Sequence, residues 1–88
     1  MSGFVYILKS LKNQRFYVGS TNDLKRRLEQ HFSGKSKYTK NILPLILVFQ
    51  QKYLTLNRAR KIEIWIKKQK SRKLINQIIL DSVISKII

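Results

Sequence analysis

The chain has 88 residues, of which 19 are Lys or Arg and 4 are Asp or Glu, giving a net charge of +15. A chain of this length forms one domain, here predicted to span residues 1–88, and its 43% hydrophobic content excludes a wholly disordered protein. The absence of cysteine excludes disulfides, zinc–cysteine sites and thiol catalysis and suits a reducing cytoplasm, while so large a positive charge indicates a polyanionic partner.

The first two predicted elements are strands over residues 4–10 (FVYILKS) and 15–20 (RFYVGS), which form a hairpin. With a connection of two or four residues, Tyr6 faces Gly19 across the pair, and Tyr17 lies diagonally beside Tyr6 on the same face of the sheet. A three-residue connection puts the two tyrosines on opposite faces. In the first case, two phenols border an open notch over the glycine.

A helix is predicted over residues 20–32 (STNDLKRRLEQHF), where capping side chains precede apolar residues at four-residue spacing. The predicted buried stripe comprises Leu24, Leu28 and Phe32. Arg27 and His31 are also four residues apart and border this stripe, so both side chains can face a cleft, whereas Arg26 points farther from it.

Residues 33–44 (SGKSKYTKNILP) have the composition of a basic loop, and residues 45–53 (LILVFQQKY) follow as a third strand. The side chains predicted to contact nucleic acid are Lys35, Lys37, Tyr38, Lys40 and, in the next helix, Lys67. Nucleic acid, above all DNA, is the first candidate partner because phosphate contacts release counterions. A membrane is not favoured, since the basic residues do not gather on one amphipathic segment, and a solvated basic surface on a protein with another partner is the remaining alternative.

A second helix is predicted over residues 55–70 (TLNRARKIEIWIKKQK). Its apolar arc comprises Leu56, Ala59, Ile62 and Ile66. Glu63 lies inside this arc, and because a buried carboxylate without a partner is costly, Glu63 must be paired. The partner is either Lys67, one helical turn further on, or a hard divalent cation such as Mg²⁺, which binds one or two carboxylates and keeps several waters.

The last predicted helix, over residues 71–88 (SRKLINQIILDSVISKII), is apolar almost all round. It either packs across the sheet or forms a contact between protomers, so a homodimer through this helix is one predicted assembly. No apolar run reaches the length of a membrane span and no signal-peptide pattern is present, which predicts a cytoplasmic location. The predicted element order is β-β-α-β-α-α.

The polar residues singled out above form a set suited to phosphodiester hydrolysis. The set offers a base for water, a cation for the pentavalent phosphate and a metal ligand. Its members also match a known family in order and spacing. The segments FVY at 4–6 and YVG at 17–19, with Arg27, His31 and Glu63, resemble the motifs of the GIY-YIG nuclease domain, and most closely those of its small stand-alone bacterial members.

The resemblance extends over nearly the whole chain and implies an α+β fold, with a three-stranded antiparallel sheet flanked by helices. It also implies metal-dependent cleavage of a phosphodiester in DNA, with Mg²⁺ as the cofactor and Mn²⁺ as a substitute. More distant members include the N-terminal domain of the C subunit of the repair excinuclease, a relationship that implies DNA repair.

Carried over by position, the resemblance implies a role for each residue of the set. Tyr6 and Tyr17 line the nucleophile side, and one of them, Tyr6 before Tyr17, is the general base. A phenol needs a lowered pKa for this role, supplied by nearby cations and the metal. His31 relays the proton, Arg27 holds the phosphate and the transition-state charge, and Glu63 binds the single Mg²⁺.

Three positions depart from the family pattern. The first motif, at residues 4–6, lacks its usual glycine and isoleucine, and Ser20 stands where the excinuclease relatives carry a lysine whose charge would lower a tyrosine pKa. The predicted function is a Mg²⁺-dependent DNA endonuclease of low sequence selectivity. The alternatives are a nucleic-acid-binding module that cleaves slowly or not at all, and a structural protein that self-associates through its apolar tail.

Overall fold

The computed structural model describes residues 1–86 of the chain. Its elements are β1 (Gly3–Ser10), β2 (Phe16–Thr21), α1 (Leu24–Phe32), β3 (Leu45–Tyr53), α2 (Leu56–Gln69) and α3 (Arg72–Asp81). The three strands form one antiparallel sheet in the order β2-β1-β3, so β2 is an edge strand. The predicted α+β class and the order β-β-α-β-α-α are both confirmed.

The register of the hairpin places the two tyrosines as the four-residue connection predicts. Tyr6 pairs with Gly19, and Leu8 pairs with Tyr17. Since side chains alternate between the faces of a strand, Tyr6 and Tyr17 lie on the same face. The phenol of Tyr6 therefore lies opposite Gly19 on β1, and that of Tyr17 lies two residues before Gly19 on β2.

Helices cover both faces of the sheet. Buried side chains of β1 and β3 pack on one face against α2 and α3, and this core includes Val5, Ile7, Phe49, Ala59, Ile62, Ile66 and Ile78. On the other face, Tyr6, Leu8 and Leu45 pack against Leu24 and Leu28 of α1. A layer of helix on each side leaves the outer edge of β2 as the place where groups from both faces can meet.

The predicted stripe of α1 is wrong at one position. Phe32 is 44% exposed, whereas His31 is buried. At about 100° per residue, His31 lies about 20° around the helix from Leu24, whereas Phe32 lies about 80° away. The buried face of α1 therefore consists of Leu24, Leu28 and His31, and the histidine points into the protein.

The predicted third helix is too long. α3 ends at Asp81, and Ser82 follows in the left-handed region with φ of 57°, which terminates the helix. The helix is also amphipathic rather than apolar all round, since Ile78 is buried while Leu80 is 79% exposed. Residues 87–88 of the prediction lie outside the described residues. Within residues 1–86, no helix has the length and apolar character that crossing a membrane requires.

Candidate active site

A groove of about 840 Å³ lies along the edge strand β2 and takes side chains from both faces of the sheet. It is lined by all five predicted catalytic residues, namely Tyr6, Tyr17, Arg27, His31 and Glu63. The hairpin supplies the tyrosines, α1 supplies the arginine and the histidine, and α2 supplies the glutamate. The fold thus brings together residues that are up to 57 positions apart in the chain.

The centre of the groove is a hydrogen-bonded cluster around the phenol of Tyr6. Its oxygen lies 3.0 Å from Nε2 of His31 and accepts a hydrogen bond from Nε of Arg27 at 3.4 Å. The guanidinium is held from the other side by Gln30, whose side-chain oxygen accepts from Nη1 at 2.8 Å. The cluster therefore joins a phenol, an imidazole and a fixed positive charge.

His31 has a second partner that the sequence did not predict. Its Nδ1 lies 2.7 Å from the hydroxyl of Thr39, a residue of the basic loop that is only 1% exposed. Burial, and next the charge of Arg27, lower the pKa of His31 from 6.5 to about 4. The imidazole is therefore neutral at neutral pH. The contact with Thr39 was not predicted, because a threonine in a lysine-rich loop carries no sequence signal for it.

The pKa of His31 makes stability dependent on pH. The unfolded chain binds a proton at His31 below pH 6.5, whereas the folded chain does so only near pH 4, so stability is lost as the pH falls through this window. We expect the free energy of unfolding to drop by about 3 kcal/mol from this residue. Urea unfolding between pH 7 and 4 measures the drop, and His31→Gln is the control because it removes this slope and keeps the four acids. Equal slopes in both proteins would contradict the assignment.

The expected lowering of the Tyr6 pKa is not found in the protein alone. Burial raises the pKa of this phenol above 10.0 and outweighs the hydrogen bond and charge of Arg27, which lower it. Glu63 raises the pKa further, and Lys67 lowers it. A role for Tyr6 as a base therefore requires additional positive charge when substrate is bound.

Tyr17 lies in the same groove but in a different setting. Its hydroxyl accepts a hydrogen bond from the side-chain amide of Asn13 at 3.0 Å. Within residues 1–86 it makes no hydrogen bond to Arg27 or His31. Of the two tyrosines, Tyr6 is the one in contact with the arginine and the histidine.

Gly19 leaves the space in which the phenol of Tyr6 lies. A Cβ built at Gly19 would overlap the ring and oxygen of the Tyr6 phenol. Any larger residue would push the phenol away from His31 and Arg27. The predicted open notch over Gly19 is therefore wrong, because the phenol of Tyr6 fills the space that the missing side chain leaves.

Glu63 borders the groove from α2 and is paired at both oxygens. Oε2 accepts a hydrogen bond from Nζ of Lys67 at 2.5 Å, so the predicted salt bridge is present, and Oε1 accepts from the hydroxyl of Ser20. The side chain of Glu63 is 18% exposed and that of Lys67 is 56% exposed. The Ser20 contact was missed, because in the sequence this residue stands out only as the loss of a lysine.

The donor chemistry around Glu63 fits a magnesium ion held mainly by substrate. In the described part of the chain, no three His, Cys, Asp or Glu side chains gather to form a cage for a metal. Mg²⁺ commonly uses one or two carboxylates, completed by water and phosphate oxygens, so one glutamate at the edge of a groove suffices. Lys67 occupies one oxygen, but its exposed side chain can turn to solvent when a cation binds.

Basic residues surround the groove. The predicted nucleic-acid contacts Lys35, Lys37 and Lys40 are all exposed on the basic loop and do not line the groove, whereas Lys67 and the 85% exposed Tyr38 do. Further basic side chains that line the groove are Arg15, Lys70 and Arg72. These three were missed, because nothing in their local sequence separates them from the other solvated cations of the chain.

Other proteins are similar to this chain in sequence. Two similar proteins are the UPF0213 protein YazA of Bacillus subtilis, 38% identical over 71 residues, and the UPF0213 protein YsiG of Lactococcus lactis, 41% identical over 71 residues. Each alignment covers 80% of this chain, and they cover 71% of YazA and 67% of YsiG.

The fold and the family are shown by two further comparisons. The solution NMR structure of the UPF0213 protein BH0048 from Bacillus halodurans superposes with a TM-score of 0.55 at 35% identity, covering 90% of this chain and 83% of that one. The family model described as the GIY-YIG catalytic domain matches residues 2–76, which include all five predicted catalytic residues. The chain therefore belongs to the GIY-YIG catalytic domain family.

Proposed function

We propose that this protein is a metal-dependent endonuclease that hydrolyses phosphodiester bonds in DNA with low sequence selectivity. The observation that carries the proposal is the cluster of Tyr6, His31 and Arg27, which opens into the same groove as the carboxylate of Glu63. Phosphodiester hydrolysis needs a proton acceptor, a fixed cation and a metal ligand, and the groove offers one of each.

In this proposal each of the side chains has a separate role in hydrolysis. Tyr6 takes the proton of the attacking water, and Arg27, already oriented by Gln30, holds the scissile phosphate through its guanidinium. Glu63 holds Mg²⁺, or Mn²⁺ in its place, and the metal supplies charge that stabilises the phosphate oxygens and the leaving group. Arg27 and Lys67 favour the ionised form of Tyr6 against the effect of burial.

DNA is the proposed partner because of charge. The net charge of +15 favours the polyphosphate backbone, and the exposed lysines of the basic loop are chain neighbours of Tyr38 and Thr39, which line the groove. Low sequence selectivity is proposed because contacts to phosphates carry no base-sequence information. A cytoplasmic location, a role in DNA repair and a homodimer through α3 stay predictions.

A nucleic-acid-binding module without cleavage is the second candidate. It is favoured by the occupied state of Glu63, since Lys67 and Ser20 bind both carboxylate oxygens, and by the raised pKa of Tyr6. On this view the same basic groove binds the backbone, but its acid and phenol serve only the fold.

Cleavage of supercoiled plasmid separates the two candidates. The endonuclease nicks the plasmid with Mg²⁺ and not with EDTA, whereas the module binds it without nicking. Arg27→Ala is expected to lower the nicking rate by about 10²-fold, because it removes the charge that faces the phosphate. Arg26→Ala is the matched control, one residue away and exposed, and should retain the rate. Binding without cleavage in both Mg²⁺ and Mn²⁺ would support the module.

The basic loop is expected to supply phosphate contacts to either candidate. Replacing Lys37 and Lys40 with alanine should weaken DNA binding and reduce the slope of log K against log salt by about 0.9 for each phosphate that is no longer neutralised. Fluorescence anisotropy at several salt concentrations measures this slope. Lys52→Ala, on β3 at the far edge of the sheet, is the control and should leave it unchanged. An unchanged slope in the double variant would place the DNA elsewhere.

A further inference from the structure

We infer that Thr39 holds neutral His31 in the tautomer protonated at Nε2, so that His31 donates a hydrogen bond to Tyr6 instead of accepting its proton. Thr39 is thus a positioning residue, and the predicted relay through His31 is replaced by a fixed donor. The tautomer follows from geometry alone, and only its consequence for cleavage rests on the proposed function.

The hydroxyl of Thr39 is buried beside the ring of His31. It lies 2.7 Å from Nδ1 of His31, and the residue is 1% exposed. Across residues 1–86, Nδ1 is the hydrogen-bond partner found for this hydroxyl. If Nδ1 carried a proton, the hydroxyl oxygen of Thr39 would accept a hydrogen bond from it. The hydroxyl proton of Thr39 would then be buried without an acceptor, which is unfavourable. Thr39 therefore donates, and Nδ1 is the unprotonated nitrogen.

The unprotonated Nδ1 determines where the ring proton of His31 lies. A neutral imidazole has one N–H, so it lies on Nε2, which is 3.0 Å from the oxygen of Tyr6. The low pKa of His31, about 4, agrees with the neutral form. His31 must then donate to the phenol, because Nε2 has no free lone pair to accept with.

The phenol oxygen of Tyr6 has a second donor beside it. Arg27 has donors only, so its Nε also donates to the oxygen of Tyr6, at 3.4 Å. The phenol oxygen then accepts from two nitrogens, and its own O–H is free to point into the groove that Tyr6 lines. The proton that Tyr6 loses when it ionises therefore passes to solvent in the groove.

This arrangement suits an ionised Tyr6. Hydrogen bonds donated to a phenolate favour the charged form. The charged groups that act on Tyr6 are Arg27 and Lys67, which lower its pKa, and Glu63, which raises it. Loss of the Thr39 hydroxyl would let His31 move its proton to Nδ1, and Nε2 would then compete for the phenol proton instead of supporting the phenolate.

Nuclear magnetic resonance of the histidine ring tests the inference in the free protein at pH 7. The chain contains one histidine, so long-range ¹H–¹⁵N spectra show one set of ring signals. We expect the pattern of a ring protonated at Nε2, and the pattern of a ring protonated at Nδ1 would overturn the inference. No substrate is needed, so an inactive protein with the Nε2 pattern would refute the proposed function and leave the tautomer standing.

Variants of Thr39 test its part. Thr39→Val keeps the volume and removes the hydroxyl, and should shift the ring signals toward the Nδ1 form, whereas Thr39→Ser should keep the wild-type pattern. In cleavage assays, the pH–rate profile of Thr39→Val should move up by about one pH unit, equivalent to the removal of one hydrogen bond to a charged group. An unchanged ring pattern in folded Thr39→Val would overturn the role of Thr39. If that variant does not fold, the wild-type spectrum and Thr39→Ser still decide.

Discussion

Replacing Tyr6 with phenylalanine is expected to lower the rate of plasmid nicking by about 10³-fold, within the range that removal of a general base produces. The ring is buried and packs with Leu8 and Leu45, and phenylalanine preserves this packing. The variant lacks only the oxygen that contacts His31 and Arg27. Nicking with Mg²⁺ at matched protein concentration measures the rate, and plasmid binding should be unchanged.

Two other tyrosines provide controls for Tyr6→Phe. Tyr53→Phe removes a phenol that accepts a hydrogen bond from Gln51, does not line the groove, and should leave nicking unaffected. Tyr17→Phe removes a phenol within the groove that, among residues 1–86, is bonded only to Asn13, and we expect a loss below about 10-fold. A larger loss in Tyr17→Phe than in Tyr6→Phe would transfer the role of base to Tyr17.

Replacing Glu63 with glutamine is expected to remove metal-supported nicking, again by about 10³-fold, because a metal contributes several kcal/mol of charge stabilisation. Glutamine has nearly the same shape and can still accept a hydrogen bond from Ser20, so the fold should be retained. Calorimetric titration with Mg²⁺ in the presence of uncleaved DNA should show weaker metal binding. Glu63 is thus tested both as a ligand and through the reaction.

Glu29→Gln is the matched control for Glu63→Gln, since Glu29 lies on α1 and does not line the groove. It should nick plasmid at the wild-type rate. Mg²⁺-dependent nicking that survives in Glu63→Gln would show that another group binds the metal. Lys67 then offers a further check, because removing its ammonium from Oε2 should strengthen Mg²⁺ binding if the carboxylate is the ligand.

The elements of this fold were predictable because their signals are local. Strand residues alternate along the hairpin, apolar residues recur at helical spacing in α2, and a side-chain cap stands before each helix, at Asp23, Thr55 and Ser71. The pairing of Tyr6 with Gly19 was predicted only for a connection of two or four residues, and the structure confirms that alternative over a connection of three. The five predicted site residues are unremarkable singly and were singled out only as a set. Their individual roles came from resemblance to a family.

The length, charge and local patterns of the chain were enough to establish one small basic α+β domain and the residues worth testing. The partners of those residues were not predictable. Tyr6 meets His31 across 25 positions, Ser20 meets Glu63 across 43, and Thr39 reaches His31 from a loop without periodicity. Such contacts depend on how helices pack on the sheet, and the same packing buries His31 in place of Phe32 and raises the pKa of Tyr6. Periodicity describes which face of an element is buried, whereas side-chain chemistry depends on what that face meets.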